Sequence, residues 1–150
     1  MYPAGGSQNN WLMVLNGDAG WGRWSMLQIN PYELQDLLVN KPDAVIVDVR
    51  FEYERSAYGY ILDSYHIPLF TADWDQNPNF VSEVARIADQ LTPLVFVCRS
   101  GNRSCEACGI AKQHGYAQVY NLNEGYVGLV NLRGQTNTDD VCPILRLSVR

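Results

Sequence analysis

The fold is decided by residues 94–104, which read LVFVCRSGNRS. Leu94 to Val97 is an apolar run too short for a helix, and such a run is typical of a strand that is buried on both faces. A polar and basic loop from Cys98 to Arg103 follows it. Small residues then recur at helical spacing, and they predict a helix that lies close against the sheet. The residues of this small stripe are Ser104, Ala107, Cys108 and Ala111.

Further strand and helix signals flank this stretch on both sides. The predicted strands are Met26–Ile29, Ala44–Val49, Ser64–Leu69, Leu94–Val97 and Val119–Leu122. The predicted helices are Pro31 to about Val39, Phe51 to Ala57, Pro78 to about Leu91, Ser104 to His114 and Glu124 to about Leu132. This alternation predicts an α/β fold, with a mostly parallel central sheet of about five strands and helices on both faces. In such sheets functional side chains gather where strands end, as Asp48, Arg50 and Cys98 do.

Helix starts are most clearly marked at two points. Asn30-Pro31 predicts one start, because Asn30 can cap free amides and Glu33 completes a capping box. Asn77-Pro78 predicts another, and Pro93 would end that helix. The apolar residues of this second helix recur at helical spacing and predict one buried face. They are Phe80, Val84, Ile87, Ala88 and Leu91.

Length and composition restrict the class of protein. The chain has 150 residues, of which 47% are hydrophobic, so one domain with its own core is expected. A net charge of -5 disfavours binding to nucleic-acid phosphates. The apolar runs are too short to cross a bilayer, and no secretion signal is legible near Met1, so we expect a soluble protein without a membrane partner. The four cysteines are too few and too clustered for a disulfide scaffold, which favours a reducing, cytoplasmic location.

Three regions are expected along the chain. Residues 1–25 are rich in Gly and Asn and predict an N-terminal extension that lies against the main domain or binds a protein partner. Residues 26–134 form the predicted domain. Residues 135–150 form a predicted C-terminal tail, whose last ten residues are either a short strand or a loose segment. The tryptophans of the extension are Trp11, Trp21 and Trp24.

The loop after the buried strand predicts a reactive cysteine. Cys98 follows the strand directly and lies just before a helix, so loop amides and the helix N-terminus can surround its sulfur. Arg99 and Arg103 add positive charge. Together these features favour the thiolate over the thiol and make Cys98 a candidate nucleophile, the alternative being a buried structural cysteine. The same loop would hold a small dianion. The predicted anion-binding residues are Arg99, Ser100, Gly101, Asn102, Arg103 and Ser104.

These residues resemble a known family. The loop Cys98-Arg99-Ser100-Gly101-Asn102-Arg103-Ser104 is similar to the active-site loop of rhodanese-domain sulfurtransferases. Asp48-Val49-Arg50 with Glu54 resembles the family's Asp-Val-Arg-x-x-x-Glu stretch, and Asn123-Glu124-Gly125-Tyr126 resembles its Glu-Gly-Gly turn. The three motifs occur in family order within residues 26–134.

The resemblance implies a rhodanese-like fold and a single-domain sulfurtransferase. Cys98 would take sulfane sulfur from a small anionic donor such as thiosulfate, hold it as a persulfide, and pass it to cyanide or a thiol. Neither a metal nor an organic cofactor is implied. Where the family often has Gly-His-Ile-Pro-Gly-Ala, residues 59–64 read Gly-Tyr-Ile-Leu-Asp-Ser, which predicts a turn of different shape.

Two other classes of function remain as alternatives. A phosphatase or arsenate reductase of the same fold would use the same cysteine. Four residues separate Cys98 from Arg103, as in the sulfurtransferases, whereas the related phosphatases have one more, so the loop length favours sulfur transfer. A phosphatase also needs a general acid, and no sequence feature assigns one. The other alternative is a non-enzymatic sulfur carrier or interaction module that docks a partner through residues 1–25.

Several further residues are expected to support the fold rather than to react. Asp48, Arg50 and Glu54 are predicted to orient the loop or to form ion pairs with one another. The Cys-x-x-Cys pair has no second pair to complete a zinc site, so core packing is favoured over metal or redox chemistry. The residues of these remaining structural predictions are Cys105, Cys108, Cys142, His66 and His114. Tyr58, Phe70 and Trp74 are expected in the core or at the rim of the site, the alternative being that they form walls of a substrate pocket.

Overall fold

A computed structural model of the chain describes residues 26–135 and 147–149. Its strands are β1 (Leu27–Ile29), β2 (Val45–Asp48), β3 (Gly59–Ile61), β4 (Tyr65–His66), β5 (Leu94–Val97), β6 (Val119–Leu122) and β7 (Leu147–Val149). Its helices are α1 (Pro31–Asn40), α2 (Glu52–Tyr58), α3 (Phe80–Ile87), α4 (Asn102–Gln113) and α5 (Gly125–Gln135). The predicted extension over residues 1–25 and the cysteine at position 142 lie outside the described residues.

Five of the strands form one parallel sheet in the order β1-β6-β5-β2-β4. Strand β5, which leads into the cysteine loop, lies in the middle between β6 and β2. In the β2–β5 register, Asp48 is paired with Val97, so these two strands end at the same edge. The predicted α/β fold with a parallel sheet of about five strands is therefore confirmed.

The core has two halves, one on each face of the sheet. Successive strand residues point to opposite faces, so Phe96 of β5 packs with Phe80 of α3 and Ala107 of α4. On the other face, Val95 of β5 packs in the same cluster as Leu34 of α1 and Leu129 of α5. Helices thus cover both faces, as expected. All four residues of the small stripe on α4 are buried, which lets this helix and the loop before it lie close to the sheet.

Helix α1 starts where the sequence predicts, whereas both the start and the end of α3 differ from the prediction. Asn30 accepts a hydrogen bond from the Glu33 amide at 2.8 Å and its own amide donates to the Glu33 carboxylate, completing the capping box. Helix α3 begins two residues later than expected, because the Asn77 side chain donates to the Pro68 carbonyl instead of extending the helix. It ends at Ile87, and Leu91 is 75% exposed.

A local turn explains why α3 stops early. The Asp89 carboxylate accepts hydrogen bonds from the backbone amides of Leu91 and Thr92, and this side-chain turn replaces helical bonding. The predicted burial of Leu91 is therefore wrong. Pro93 follows this turn and leads directly into β5.

A second, small sheet joins the middle of the chain to its end. Strands β3 and β7 pair antiparallel, with Gly59 opposite Val149 and Ile61 opposite Leu147. Part of the predicted tail is thus a strand, and residues 59–61, expected to belong to a turn, are its partner. The division of the chain at residue 134 stays a prediction. None of the helices described between residues 26 and 135 is long and apolar enough to cross a membrane.

Candidate active site

The candidate site lies where β2 and β5 end. Asp48 is the last residue of β2, and Cys98 follows the last residue of β5. The two strands are neighbours in the parallel sheet, so both residues lie at one edge. The structure therefore brings together the residues that the sequence predicts at the strand ends. The loop from Cys98 to Gly101 then leads into α4.

The sulfur of Cys98 lies inside this loop. The Gly101 amide donates to Sγ at 3.0 Å, and the Ser104 hydroxyl lies 3.3 Å from Sγ. Cys98 is 1% exposed and Ser104 is fully buried. Gly101 has φ +109°, and a Cβ there would lie 2.3 Å from the carbonyl oxygen of Asn123, so the loop needs glycine at this position. The amide that reaches the sulfur depends on this backbone conformation.

The start of α5 holds the loop from behind. The Tyr126 amide donates to the Cys98 carbonyl at 2.8 Å, and the Val127 amide donates to the Arg99 carbonyl at 3.1 Å. Gly125 has φ +65°, and a Cβ there would lie 2.3 Å from the Arg99 oxygen. The turn that leads into Tyr126 therefore packs directly on the cysteine loop. This contact joins the Asn123-Glu124-Gly125-Tyr126 motif to the loop motif that begins at Cys98.

Arg103 is bound by Glu54 of α2. Its two terminal nitrogens donate to the two carboxylate oxygens of Glu54 at 2.8 and 2.9 Å, which is the bidentate arrangement. Burial alone would raise the pKa of Glu54, but hydrogen bonds from Arg103 and from the Phe51 amide, with the charges of Arg103 and Arg50, lower it below its usual range. The hydrogen bonds to Glu54 in turn raise the pKa of Arg103. The pair fastens α4 to α2 beside the loop.

Asp48 and Arg50 form a second ion pair, separate from the pair of Glu54 with Arg103. The Arg50 guanidinium donates to the Asp48 carboxylate at 2.8 Å and to the Gly59 carbonyl at 2.8 Å. Arg55 also donates to Asp48, at 3.0 Å. The Arg50 guanidinium lies 4.5 Å from the centre of the Tyr126 ring. Of the three predicted supporting residues, Glu54 thus contacts an arginine of the loop, while Asp48 and Arg50 bind each other.

Arg99 is placed differently from Arg103. It is exposed, its guanidinium lies 6.0 Å from the centre of the Tyr58 ring, and within residues 26–135 and 147–149 it forms no ion pair. It borders a cavity of about 310 Å³ beside the loop. The residues that line this cavity are Arg50, Glu54, Ala57, Tyr58, Arg99, Tyr126, Val127, Val130 and Asn131. Tyr58 is therefore a wall of the cavity.

The other aromatic candidates, Phe70 and Trp74, form a cluster with Phe51, the residue that precedes α2. Trp74 contacts Phe51 edge-on with ring centres 4.8 Å apart and Phe70 at 5.6 Å. The Arg103 guanidinium lies 5.6 Å from the Phe51 ring centre. Ser100 and Asn102, which the sequence predicted to bind an anion, are exposed on the loop and at the start of α4.

Cys105 and Cys108 of α4 are free thiols with different surroundings. Cys108 is fully buried in the core between α4 and the sheet, and burial raises the pKa of its thiol well above the usual value. Cys105 is half-buried near Met26 and Gln28. His114 contacts the Ile110 carbonyl and His66 contacts the Arg50 carbonyl, so both rings have structural partners. In the part of the chain that is described, no group of His, Cys, Asp or Glu side chains is suited to hold a metal ion.

One group near the sulfur is missing from the sequence predictions. Asn121 of β6 is 2% exposed and accepts a hydrogen bond from the Ser104 hydroxyl, while its amide donates to Gln28 of β1 at 2.7 Å. A polar side chain inside the buried strand Val119–Leu122 is the signal that could have identified it, since buried amides need partners.

The fold and this site define an α/β protein with a cysteine loop between a central parallel strand and a helix. A family model of the rhodanese-like domain matches residues 30–132. The chain belongs to the rhodanese-like domain family.

Relatives and solved structures agree with this assignment. The chain is 38% identical over 92 residues to the "Rhodanese domain-containing protein CG4456" of Drosophila melanogaster, covering 59% of this chain and 83% of that protein. It is 33% identical over 100 residues to a "Sulfurtransferase" of Allochromatium vinosum, covering 67% and 84%. The crystal structure of Rv0390 from M. tuberculosis is similar with a TM-score of 0.60 and 32% identity, over 66% of this chain and 78% of that one.

Proposed function

We propose that this protein is a sulfurtransferase that moves sulfane sulfur from thiosulfate, or a similar small anionic donor, to cyanide or a thiol. Cys98 is its nucleophile and carries the sulfur as a persulfide. The observation that carries the proposal is the position of the sulfur, which the Gly101 amide and the Ser104 hydroxyl hold in front of helix α4. The similarity to a relative named sulfurtransferase supports the same class of reaction.

In the first half-reaction, the Cys98 thiolate attacks the outer sulfur of thiosulfate. A bond forms between Sγ and that sulfur, and the sulfur–sulfur bond of the donor breaks. Sulfite leaves with the electron pair, so a thiolate and a dianion become a persulfide anion and a dianion, and no redox partner is needed. Donors near the sulfur, such as the Gly101 amide, and the N-terminus of α4 stabilise the negative charge throughout.

In the second half-reaction, the acceptor takes the outer sulfur. Cyanide or a thiolate attacks that atom, the bond to Sγ breaks, and Cys98 returns as the thiolate. The products are thiocyanate or a new persulfide. Splitting one transfer into two displacements on a single sulfur atom is covalent nucleophilic catalysis.

Donor binding is assigned chiefly to Arg99. Thiosulfate is a dianion, and a guanidinium is its usual host in a protein. Arg99 is exposed at the cavity beside the loop, whereas the terminal nitrogens of Arg103 are already bound by Glu54. Arg103 therefore contributes its positive charge to the loop and holds α4 in place, while Arg99 contacts the donor.

Phosphate-ester hydrolysis fits the cavity less well. A phosphatase of this type needs a general acid to protonate the leaving alcohol. Among the described residues that line the cavity, only Glu54 carries a carboxyl group, and both of its oxygens accept bonds from Arg103. An ion-paired carboxylate with a lowered pKa is a poor proton donor at neutral pH.

Steady-state turnover tests the proposal. Thiosulfate and cyanide are supplied together and thiocyanate is measured, with p-nitrophenyl phosphate as the competing substrate. The expected result is thiocyanate formation that Cys98→Ser abolishes and Cys105→Ser retains, with no p-nitrophenol above the buffer rate. Hydrolysis of the phosphate ester without thiocyanate formation would contradict the proposal.

A further inference from the structure

A chain of hydrogen-bonded polar groups runs from the edge of the sheet to the sulfur of Cys98, and it is buried from Asn121 onward. Gln28 of β1 accepts a bond from the Asn121 amide at 2.7 Å, and Asn121 Oδ1 accepts a bond from the Ser104 hydroxyl. Ser104 Oγ in turn lies 3.3 Å from Cys98 Sγ. Asn121 is 2% exposed and Ser104 is fully buried, so solvent does not compete for the two bonds of the Ser104 hydroxyl.

The loop itself sets the orientation of the Asn121 amide. Asn121 Nδ2 donates to the carbonyl of Gly101 at 3.2 Å. If the amide were turned over, Oδ1 would face that carbonyl, and two acceptors would oppose each other without a proton between them. Asn121 therefore presents Oδ1, an acceptor, to Ser104.

The Ser104 hydroxyl then has one proton and three acceptors within reach. They are Cys98 Sγ, the Gly101 carbonyl at 3.2 Å and Asn121 Oδ1. When Cys98 is a thiol, its S–H can donate to Ser104 Oγ while Ser104 donates to Asn121. When Cys98 is a thiolate, the sulfur can only accept, so Ser104 keeps a hydrogen bond to Sγ only if its hydroxyl turns toward the sulfur and leaves Asn121.

We propose that Asn121 is a positioning residue that competes with Cys98 for the proton of Ser104, so that this hydroxyl turns with the charge on the sulfur. The inference rests on the proposed sulfur transfer. In the thiolate, Ser104 donates to Sγ. In the persulfide the charge lies on the outer sulfur, and Ser104 donates to Asn121 again. The hydroxyl only rotates, and no proton leaves Ser104.

The competition has a consequence for reactivity. In the resting state the Ser104 hydroxyl donates to Asn121. Its hydrogen bond to the thiolate therefore forms only when the bond to Asn121 breaks. The Cys98 thiolate is therefore less stabilised, and more nucleophilic, than it would be beside Ser104 alone. Removal of Asn121 Oδ1 should make the thiolate form at lower pH, whereas removal of the Ser104 hydroxyl should make it form at higher pH.

Other ionisable groups near the sulfur stay the same in these variants. Arg103 and Cys108 of α4 interact electrostatically with Cys98. Glu54 of α2 is bound to Arg103, and Asp48 at the end of β2 is bound to Arg50. Since Asn121→Leu and Ser104→Ala alter no charge, a shift in either variant does not come from an added or removed charge.

The experiment is a double-mutant cycle on the pH profile of Cys98 alkylation by iodoacetamide, read by peptide mass spectrometry so that the other cysteines do not contribute. Asn121→Leu should move the midpoint of the profile to lower pH, and Ser104→Ala should move it to higher pH. Each shift should be about one unit, since one hydrogen bond to a charged group corresponds to roughly a tenfold change in its equilibrium. In the double variant, the Leu substitution should add no shift to that of Ser104→Ala.

A purely structural role for Asn121 predicts a different pattern. If each substitution merely loosened the loop, the midpoint of the alkylation profile would shift in the same direction in Asn121→Leu and in Ser104→Ala. That result, or an unshifted midpoint in Asn121→Leu, would overturn the proposal. Asn121→Ala repeats the measurement if the Leu variant does not fold. Formation of a Cys98 persulfide from thiosulfate in the unmodified protein is measured in parallel, so failure of the sulfurtransferase proposal is distinguished from failure of this one.

Discussion

Arg99 of the cysteine loop and Arg103 of α4 have different neighbours although they are only four positions apart in sequence. Arg103 is held by Glu54 in a bidentate ion pair, whereas Arg99 is exposed beside the cavity. The bidentate pair uses two of the five N–H donors of Arg103 and balances its charge, while the exposed guanidinium of Arg99 has more donors available for an anion. We therefore expect Arg99 to bind the donor and Arg103 to support the loop.

Replacing Arg99 should weaken donor binding without unfolding the protein. In Arg99→Ala, loss of a charge-assisted contact of about 1.5 to 3 kcal/mol should lower kcat/KM for thiosulfate roughly ten- to hundredfold, mainly through KM. Steady-state kinetics and a thermal melt check this. Arg86→Ala is the matched control, because Arg86 is exposed on α3 and does not line the cavity. Equal kinetics in the Arg99 and Arg86 variants would remove Arg99 from the site.

Replacing Arg103 should chiefly affect stability. Arg103→Ala removes the bidentate partner of the Glu54 carboxylate, which is 4% exposed and keeps its hydrogen bond from the Phe51 amide. Loss of a hydrogen-bonded partner by a buried charged group costs about 1.5 to 3 kcal/mol. Chemical denaturation should show this loss in Arg103→Ala and not in Arg99→Ala. A variant as stable as the unmodified protein would mean that the ion pair contributes nothing to folding.

At the scale of elements, the Glu54–Arg103 pair links α2 to α4 and makes their contact depend on pH. The pKa of Glu54 is lowered in the folded protein, so its contribution to stability is present above the ordinary value of 4.5 and is lost as the pH falls through the folded-state value. Unfolding free energies measured from neutral pH down into this acid range should therefore fall less steeply in Glu54→Gln. Glu106→Gln, an exposed change on α4, should leave the acid limb as it is. Parallel acid limbs for Glu54→Gln and the unmodified protein would contradict this.

The elements also show what local sequence patterns can and cannot predict. Three features depend only on nearby residues, and the structure has each of them where the sequence predicts it. They are the capping box at Asn30, the buried run of β5 and the small stripe of α4. Strand β3 was missed because its partner β7 lies at the other end of the described chain, and short strands depend on such distant pairing. The end of α3 was missed because one side-chain turn at Asp89 outweighed its apolar spacing.

The position of the candidate site could be predicted from the sequence, whereas several of its side-chain contacts could not. A cysteine between a buried strand and a helix, with an ionisable group at the end of a neighbouring parallel strand, follows from chain order and topology alone. Which arginine is bound by Glu54, and that Asn121 reaches Ser104 from β6, depend on side-chain positions that chain order does not contain.

At the scale of the whole molecule, the last described strand is connected to the active site. Ser148 of β7 accepts a hydrogen bond through its backbone carbonyl from the Tyr126 hydroxyl at 3.1 Å. The Tyr126 ring contacts Arg50, and its amide holds the Cys98 carbonyl. The C-terminal strand therefore stabilises the residue that supports the cysteine loop from behind.

Removing residues 147–150 should thus lower both stability and activity. The loss of β7 and of the Tyr126 hydrogen bond should cost about 1 to 3 kcal/mol, measured by chemical denaturation, and kcat for sulfur transfer should fall with it. Tyr126→Phe should reproduce part of this loss, whereas Ser148→Ala should be neutral because its bond uses the backbone carbonyl. A truncated protein with unchanged stability and turnover would show that β7 has no part in supporting the site.

The central claim is that Cys98 carries the transferred sulfur, and following that atom tests it most directly. The reduced protein is incubated with thiosulfate labelled by a heavy isotope in its outer sulfur, and intact-mass and peptide mass spectrometry are recorded before and after cyanide. We expect one labelled sulfur on the Cys98 peptide, its loss to cyanide as labelled thiocyanate, and no label in Cys98→Ser. A folded protein that acquires no label, or acquires it on Cys105, Cys108 or Cys142 instead, would contradict the account.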